Sequence, residues 1–397
     1  MEGIEFAPAM IERDLAPKLR SDARSNPAIT LTGPRQSGKS TLCRMVFPKL
    51  AYANLEAPDV RAFAASDPRT FLGQFQKGAI IDEIQRVPEL TSYLQGMIDD
   101  NPQHGRWILT GSQSLTMMES VSQSLAGRTA VLHLMPLARS EVLRFGRHPG
   151  SLDEVLFTGG YPRILNQKLA PSEWLGAYIR TYLERDVRLV SNIGDLAVFQ
   201  RFIQLCASRT AQLLNLSSLA MDAGISQPTA KAWLSILEAT FIVFRLQPFF
   251  RNIGKRLVKA PKLHFLDTGL VCWLLGIRDP SQLGMHPLRG PIFETWVVSE
   301  IVKHRFNRGE HAGLFFYRDR QGLEADIVIE EGRELTVLEA KAGETATTEL
   351  VGAGNRVQAV LESSFPARRV VVYGGEADQK RTNVEVISWN SLHRHHW

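Results

Sequence analysis

The sequence has few cysteines, no long apolar run and little net charge. Its three cysteines, Cys43, Cys206 and Cys272, lie more than sixty positions apart, which excludes a CxxC metal or redox pair. We expect all three thiols to be buried. No run approaches eighteen uninterrupted apolar residues, so we expect no membrane-spanning helix and no membrane partner. The acidic start lacks the basic and apolar regions of a secretory signal, which predicts a cytoplasmic protein.

The net charge of +5 is small, but the charge is unevenly distributed. Residues 201–262 contain nine basic and two acidic side chains, and six of the bases fall within residues 245–262 with no acid among them. The rest of the chain is therefore slightly acidic. A local excess of positive charge attracts polyanions wherever it is exposed, so this segment is a candidate DNA-binding surface.

Three regions of different pattern follow one another along the chain. Short apolar runs alternate with amphipathic stretches in residues 1–160, which predicts a parallel sheet with crossover helices. Residues 161–285 are mainly helical in pattern, and strands return in residues 286–397. The predicted fold class is therefore α/β: a P-loop core with helices on both faces of a parallel sheet, a helical middle domain and a mixed α/β C-terminal domain. We expect the terminal histidines His393, His395 and His396 to lie in a solvated tail; adventitious binding of a metal is the alternative.

Residues 33–40 match the phosphate-loop pattern G-x-x-x-x-G-K-[ST], between an apolar strand and a helix. In such a loop the backbone amides and the helix N-terminus bind phosphate groups, Lys39 reaches the β and γ oxygens, and Ser40 ligates Mg²⁺. The pattern therefore predicts a site for ATP and Mg²⁺. The predicted nucleotide-binding residues are Gly33, Pro34, Arg35, Gln36, Ser37, Gly38, Lys39, Ser40 and Thr41.

A second apolar run, Ala79-Ile80-Ile81, ends in the carboxylates Asp82 and Glu83. Taken alone, an acid at a strand end is more often a helix cap, but the phosphate loop upstream favours a catalytic interpretation. Asp82 is then placed to hold the metal, and Glu83 to activate an attacking water. A water-activating base is typical of a hydrolase rather than a kinase, so the pair predicts ATP hydrolysis.

Two further residues are candidates for catalytic contacts. Ser112 follows the strand at residues 107–110 and is a candidate sensor of the γ-phosphate or of the attacking water; a helix cap is the alternative. Arg128 precedes the fifth predicted strand and is a candidate arginine finger for a neighbouring subunit. The alternative for Arg128 is an ordinary surface arginine.

Five motifs together carry a resemblance to a known family. They are Gly-Pro-Arg-Gln-Ser-Gly-Lys-Ser-Thr (residues 33–41), Ile-Ile-Asp-Glu-Ile-Gln (80–85), Leu-Thr-Gly-Ser (109–112), Leu-Ala-Gly-Arg (125–128) and Gly-Gly-Tyr-Pro (159–162). The chain resembles, over nearly its whole length, the AAA-type P-loop ATPases of bacteria and archaea that carry a C-terminal domain of unknown function. The resemblance implies an AAA+ core, a winged-helix segment, a C-terminal domain similar to restriction endonucleases, and a homo-oligomer such as a hexameric ring.

Residues 216–237 predict a helix, a glycine turn and a second helix, with Ser217 and Ser226 as their N-terminal caps. Two strands are expected to follow, at 241–248 and 257–265, which completes a winged helix-turn-helix. The side chains expected to face phosphates or base edges are Gln227, Thr229, Lys231, Arg251, Lys255 and Arg256. The alternative is a fold of this kind that serves only for packing between domains.

Asp326 and Glu339-Ala340-Lys341 resemble the D…(D/E)-x-K signature of restriction-like nucleases, in which two carboxylates bind a divalent metal and the lysine orients water. If Gly332-Arg333 forms a two-residue type II′ hairpin loop, Asp326 lies opposite Glu339 and Lys341 shares their face. Glu294, on the preceding predicted helix, is a candidate fourth group, although by itself it is only an exposed helix acid. The signature predicts a second divalent cation, Mg²⁺ or Mn²⁺, at Asp326 and Glu339. Whether this domain cleaves nucleic acid stays open, because a protein can keep a fold after losing the catalytic activity associated with it.

Together these patterns predict a Mg²⁺-dependent ATPase of AAA type that moves or remodels DNA. A nucleotide-gated switch is the alternative: ATP binding would change assembly or partner affinity, hydrolysis would be slow, and the C-terminal fold would only bind. The two hypotheses share the phosphate loop and differ in the rate of hydrolysis. Stimulation of hydrolysis by DNA would distinguish them.

Overall fold

The structure is a computed structural model, and it describes residues 10–111, 123–182, 195–249, 258–311, 313–347, 354–362 and 365–397. The chain divides into two compact units. The first comprises Met1–Leu137, Ala239–Phe241 and Arg305–Glu310, and the second comprises Ala138–Glu238, Ile242–His304 and His311–Trp397. The three domains expected at residues 1–160, 161–285 and 286–397 stay a prediction.

The first unit is built on a five-stranded parallel sheet with the strand order β2-β3-β4-β1-β5. Its strands are β1 (Ala28–Thr32), β2 (Ala51–Asn54), β3 (Ala79–Asp82), β4 (Trp107–Thr110) and β5 (Thr129–His133). Its helices are α1 (Ala16–Ala23), α2 (Lys39–Val46), α3 (Pro58–Ser66), α4 (Pro68–Gly73) and α5 (Leu90–Asp100). The predicted α/β core is confirmed.

Helices cover both faces of this sheet. Successive strand residues point to opposite sides, so a run of apolar residues presents apolar side chains on both faces. Ile80 packs with Leu19 of α1 and Leu42 of α2 in one buried cluster. The next residue, Ile81, packs in a second buried cluster with apolar side chains that include Leu94 of α5. The apolar runs of β1, β3 and β4 therefore correspond to inner strands that are buried on both faces, as expected of a parallel sheet, whereas the edge strands β2 and β5 are partly exposed.

The second unit contains a nine-stranded mixed sheet with the order β13-β14-β12-β11-β10-β9-β7-β8-β6. Its strands are β6 (Gln212–Leu213), β7 (Val243–Pro248), β8 (Lys262–Phe265), β9 (Leu314–Arg318), β10 (Glu324–Glu331), β11 (Glu334–Lys341), β12 (Ala367–Tyr373), β13 (Gln379–Arg381) and β14 (Val384–Ser388). The helices that lie in this unit, wholly or for most of their length, are α6 (Arg139–Val142), α7 (Leu152–Thr158), α8 (Pro162–Asn166), α9 (Pro171–Tyr182), α10 (Leu196–Ser208), α11 (Leu216–Ala223), α12 (Gln227–Ala239), α13 (Thr268–Leu274), α14 (Arg289–Asn307) and α15 (Asn355–Glu362).

One parallel pairing joins the middle and C-terminal parts of this sheet. Gln247 of β7 lies opposite Phe315 of β9. Just beyond β7, the amide of Phe249 donates to the carbonyl of Phe316 at 2.8 Å. The strands of residues 212–265 and those of residues 314–388 therefore form one continuous sheet.

The predicted helix–turn–helix is present as α11 and α12, but its first cap is a different residue. Asn215, not Ser217, precedes α11 and accepts a hydrogen bond from the Ser218 amide at 3.0 Å. The cap of the second helix is as predicted, because the Ser226 hydroxyl accepts from the Thr229 amide at 3.2 Å. Between the helices the chain turns at Gly224, whose φ of 72° is left-handed and favours glycine.

The C-terminal residues are not a solvated tail, so that expectation is wrong. The indole of Trp397 is buried and donates to the Leu392 carbonyl at 2.9 Å. His393 is half-buried, and this burial lowers the pKa of its imidazole. The chain end is therefore part of the folded second unit. The three cysteines are buried, as expected, and no helix among the described residues is long and apolar enough to cross a membrane.

Candidate active site and carboxylate cluster

The phosphate loop follows β1 and takes a conformation that its glycines permit. Gly33 has a φ of 148°, and a β-carbon there would lie 2.2 Å from the carbonyl oxygen of Leu134. Gly38 has a φ of 95° and forms the N-terminal cap of α2. Arg13 braces the loop, because its guanidinium donates to the Ser37 carbonyl at 2.7 Å and to the Met135 carbonyl at 2.8 Å. The loop is thus held in shape by the protein itself.

Lys39 lies at the start of α2 with its ammonium against the loop. Its Nζ donates to the carbonyls of Gly33 at 3.0 Å and Pro34 at 2.8 Å. Burial lowers the pKa of Lys39 to about 8, against the opposing effect of the carboxylates of Glu83 and Asp82. A buried cation of this kind is stabilised by an anion brought close to it, and a phosphate group is such an anion.

The other predicted loop residues differ in their exposure. Pro34 and Ser37 are buried, Arg35 and Ser40 are half-buried, and Gln36 and Thr41 are exposed. The buried hydroxyl of Ser37 has no hydrogen-bond partner among the described residues. Because buried polar atoms are nearly always paired, this orphan hydroxyl fits a bound phosphate oxygen.

Asp82 ends β3 and is held by hydroxyl groups from both neighbouring strands. The Tyr52 hydroxyl of β2 donates to Oδ2 at 2.6 Å, and the Thr110 hydroxyl of β4 donates to Oδ1. Tyr52 also hydrogen-bonds with Ser40. Burial and Asp82 raise the pKa of Tyr52, so the phenol stays protonated and remains a donor. Sequence reasoning missed both Tyr52 and Thr110.

Glu83 follows Asp82 with a left-handed backbone, at a φ of 60° and a ψ of 44°. This conformation is uncommon for a residue other than glycine and typical of functional sites. The amide of the Gln85 side chain donates to the Glu83 carboxylate. The phosphate loop, Asp82 and Glu83 thus meet at the carboxyl-terminal edge of the sheet, where parallel α/β folds bind ligands.

The structure supports a catalytic role less strongly for the two other candidates, Ser112 and Arg128. Ser112 lies outside the described residues. Arg128 precedes β5, and its carbonyl accepts from the Ala28 amide at the amino-terminal end of β1, the opposite edge from the phosphate loop. Its guanidinium binds both oxygens of the Asp99 carboxylate, at 2.6 and 2.9 Å. A role as an arginine finger stays a prediction, and it would require Arg128 to leave Asp99.

The second unit contains the predicted carboxylate hairpin. The predicted register is present, because Glu331 of β10 pairs with Glu334 of β11 and Ile327 pairs with Leu338. Asp326 and Glu339 are the next residues beyond the last paired positions. Gly332 has a φ of 63°, as the first position of a type II′ turn requires. The Ala340 amide donates to Oδ2 of Asp326 at 2.9 Å. A β-bulge against β9 falls at this point of β10.

Lys341 lies on the same face as the two acids. Its Nζ is 3.1 Å from Oε2 of Glu339 and 3.5 Å from Oδ2 of Asp326. Burial and the neighbouring Asp326 raise the pKa of Glu339. Burial acts in the same direction on Asp326, yet the ammonium groups of Lys341 and Lys262 hold the pKa of Asp326 below its ordinary value.

A lysine that sequence reasoning assigned to the basic segment lies among these acids. Lys262 begins β8, is buried, and is 2.8 Å from Glu294, 2.7 Å from Glu324 and 3.7 Å from Asp326. Glu294 is therefore not the exposed helix acid that its sequence suggested. Burial raises the pKa of Glu294 to about 8, and Asp326 adds to this effect while Lys262 opposes it. No sequence pattern indicated this contact, because Lys262 and Glu324 are far apart in the chain.

His264, on the same strand as Lys262, borders the cluster. Its Nδ1 is 3.2 Å from the Thr295 hydroxyl, and its Nε2 is buried, 4.0 Å from Glu294. Burial and the Lys262 ammonium lower the pKa of His264 well below its ordinary value, so the ring stays neutral. Among the described residues no group of three or more histidine, cysteine, aspartate or glutamate side chains is arranged to hold a metal. The expectation of a second divalent cation at Asp326 and Glu339 is therefore not supported.

The basic side chains of residues 201–262 are less available for binding DNA than the sequence suggested. Arg209 pairs with Asp222, Arg245 pairs with Glu238, and Lys262 is buried. Three of the predicted DNA-binding residues, Arg251, Lys255 and Arg256, lie outside the described residues. On α12, Gln227 and Lys231 are exposed, whereas Thr229 is half-buried and its hydroxyl lies 2.7 Å from that of Ser226. The exposed candidates on α12 are therefore Gln227 and Lys231.

Three family models match successive parts of the chain. An AAA domain matches residues 25–143, a domain of unknown function (DUF8612) matches residues 150–281, and a second domain of unknown function (DUF4143) matches residues 289–392. The first match agrees with the phosphate loop and with the sheet of the first unit. The chain therefore carries an AAA-type P-loop domain.

Relatives align over most of the chain. The uncharacterized proteins Rv2008c of Mycobacterium tuberculosis and Mb2031c of Mycobacterium bovis are each 30% identical over 367 residues, which is 92% of this chain and 80% of the relative. The uncharacterized protein MJ1544 of Methanocaldococcus jannaschii is 22% identical over 328 residues, 77% of this chain and 70% of the relative. Among solved structures, the Walker-type ATPase paby2304 of Pyrococcus abyssi aligns at 14% identity with a TM-score of 0.45, covering 66% of this chain and 95% of that one.

Proposed function

Because the chain belongs to the same family as these mycobacterial relatives and carries an AAA domain, we propose that it is a Mg²⁺-dependent ATP hydrolase that acts on DNA. The observation that carries the hydrolase assignment is the meeting of Lys39, Asp82 and Glu83 at one edge of the sheet. An ammonium, a metal-binding carboxylate and a second carboxylate beside it are the groups that phosphoryl transfer to water needs.

The roles follow from the placement of each side chain. The loop amides and the Lys39 ammonium bind the β- and γ-phosphates, and Lys39 then exchanges its carbonyl partners for phosphate oxygens. Glu83 orients the attacking water and accepts its proton. In the structure Glu83 is bound by Gln85, so Gln85 must release it, or share it, when water is in place.

The residues at this site also fit a magnesium ion. The Ser40 hydroxyl and the Asp82 carboxylate are oxygen ligands of the kind that Mg²⁺ takes, and Tyr52 hydrogen-bonds with both. When bound, Mg²⁺ would neutralise charge that develops on the phosphates. Asp82 is held by Tyr52 and Thr110, which orient its carboxylate before any metal arrives.

The test of the hydrolase assignment is Glu83→Gln, which keeps the shape of the side chain and removes the base. We expect steady-state ATP hydrolysis to fall at least about a hundredfold, at the lower end of what general-base loss causes, while a fluorescent ATP analogue still binds. Glu89→Gln is the matched control, because Glu89 is an exposed acid of the same unit. Equal rates of ATP hydrolysis in the Glu83→Gln variant and the wild type would show that Glu83 is not the catalytic base.

The DNA assignment is supported by the element order of residues 196–265. A helix, a short strand, two helices and two strands (α10, β6, α11, α12, β7 and β8) follow each other as in a winged helix. In helix-turn-helix proteins the second helix enters the major groove with its N-terminal residues. On α12 these residues include the exposed Gln227 and Lys231.

One observation favours a second candidate function. The Glu83 carboxylate is already hydrogen-bonded to Gln85, which would slow hydrolysis and suits a nucleotide-gated switch. The two functions are separated by the ATPase rate with and without single-stranded, duplex and branched DNA. Stimulation by any of these supports a DNA-driven motor, and slow hydrolysis that is indifferent to DNA supports the switch.

A further inference from the structure

The carboxylate cluster of the second unit already contains a cation, the ammonium of Lys262. This cluster is defined by Glu294, Glu324, Asp326 and Lys262. The Nζ of Lys262 lies 2.8 Å from Glu294, 2.7 Å from Glu324 and 3.7 Å from Asp326. Its side chain is only 3% exposed. A single buried ammonium therefore contacts three carboxylates that come from two different elements, while the more exposed Lys341 and Arg318 also pair with Asp326 and Glu324.

The arrangement follows from strand periodicity. Residues two apart on a strand share a face, so Glu324 and Asp326 of β10 project together, as do Lys262 and His264 of β8. Glu294 of α14 completes the cluster. His264 adds a second observation, because its Nε2 is fully buried, has no hydrogen-bond partner among the described residues and lies 4.0 Å from Glu294. A buried nitrogen without a partner is unusual and calls for an explanation.

A divalent cation and the Lys262 ammonium cannot both occupy the space between these carboxylates. Metal ions bind carboxylate oxygens at about 2.0–2.6 Å, whereas the oxygens here stand 2.7–3.7 Å from Nζ. The Nζ of Lys262 therefore occupies the position among these carboxylates that a metal ion would take. Two like charges in one buried cluster would also repel strongly.

We propose that this cluster is a latent divalent-cation site that Lys262 keeps closed. With the lysine in place the cluster takes no metal, and without it Glu294, Asp326 and the His264 imidazole close around a divalent ion such as Mn²⁺. It follows that the native carboxylate cluster supports no metal-dependent cleavage of nucleic acid. This inference does not depend on the ATPase assignment.

The test measures Mn²⁺ binding by calorimetry on the full chain without nucleotide. Wild type and Asp326→Asn should give the same titration, because the closed cluster contributes nothing. Lys262→Ala should gain one Mn²⁺ equivalent with at least tenfold higher affinity than any wild-type binding. The gain should disappear in Lys262→Ala/Asp326→Asn, and Lys380→Ala, which removes an exposed lysine of β13, should leave the wild-type titration unchanged.

Two outcomes would overturn the proposal. The first is Mn²⁺ binding by the wild type that Asp326→Asn removes, and it can be observed whether or not any lysine variant folds. The second is a folded Lys262→Ala or Lys262→Gln protein that binds no additional Mn²⁺. If Lys262→Ala is unfolded without metal, refolding on addition of Mn²⁺ that the Asp326→Asn change abolishes supports the proposal, and its failure to refold with Mn²⁺ counts against it.

Discussion

The Asp82 carboxylate receives one hydroxyl donor on each oxygen, from Tyr52 at 2.6 Å and from Thr110. Neither side chain is charged, and within the Leu-Thr-Gly-Ser motif the sequence pointed to Ser112 rather than to Thr110. Hydrogen bonds of this kind set the direction of a metal-binding carboxylate and its affinity for the ion. Tyr52 contacts a second residue of the site, because it also hydrogen-bonds with Ser40. The proposed metal ligands are therefore oriented by side chains that do not themselves match the phosphate-loop pattern.

We predict that Tyr52→Phe raises the Mg²⁺ concentration needed for half-maximal ATP hydrolysis about tenfold, the lower end of what outer-shell changes cause. Binding of fluorescent ADP without Mg²⁺ should be unaffected, since the phosphate loop is intact. Tyr93→Phe is the control, because Tyr93 is similarly exposed in the same unit and faces Arg69 instead. An unchanged Mg²⁺ dependence would show that Tyr52 does not position these ligands.

The start of α13 illustrates how one buried acid joins two elements. Asp267 caps this helix by accepting from the Leu270 amide at 3.0 Å, and it also accepts from the Gly160 amide at 2.7 Å. Burial raises the pKa of Asp267 despite these donors and the nearby Lys303. Gly159 fits against the carboxylate with a φ of 68° and a ψ of −161°, a combination nearly confined to glycine. The two glycines of the Gly-Gly-Tyr-Pro motif therefore have a structural role.

We predict that Gly159→Ala lowers the free energy of unfolding of the second unit by about 2–3 kcal/mol, from backbone strain and displacement of Asp267. A β-carbon there would lie 2.4 Å from Oδ1 of Asp267. Gly146→Ala is the control, because a β-carbon at Gly146 meets no atom within 4 Å. Urea denaturation followed by tryptophan fluorescence measures both. Equal stability of the two variants would contradict this account.

Over the whole molecule, the net charge of +5 says little about where a polyanion binds. The only two acids of residues 201–262, Asp222 and Glu238, are paired with Arg209 and Arg245. Lys262 is buried in the carboxylate cluster. The exposed bases of the described part of this segment are Arg201, Lys231, Arg245 and Lys259, of which Arg245 is paired with Glu238. Any DNA affinity therefore rests on fewer charges than the composition suggests.

We predict that Lys231→Ala weakens DNA binding at every sequence tested and reduces the slope of log affinity against log salt concentration by about 1, as the loss of one phosphate contact should. Lys380→Ala is the matched control, since it removes an exposed lysine at the β13 edge of the same nine-stranded sheet, opposite β6. Fluorescence anisotropy at several salt concentrations measures both variants. If the two slopes fall equally, binding is not localised on α12.

The sequence alone determined the features that depend on neighbours in the chain. The phosphate loop, the five core strands and the β10–β11 register follow from local periodicity and turn chemistry. The sequence did not predict β6, β13 or β14, and it assigned the cap of α11 to the wrong residue. Only the tertiary structure decided which distant residues meet: Tyr52 with Asp82, because β2 lies beside β3, and Lys262 with Glu294 and Glu324. Strand order and helix packing set such contacts. They therefore decide whether a carboxylate that a sequence motif suggests as a metal ligand is free to bind a metal or is paired with a lysine.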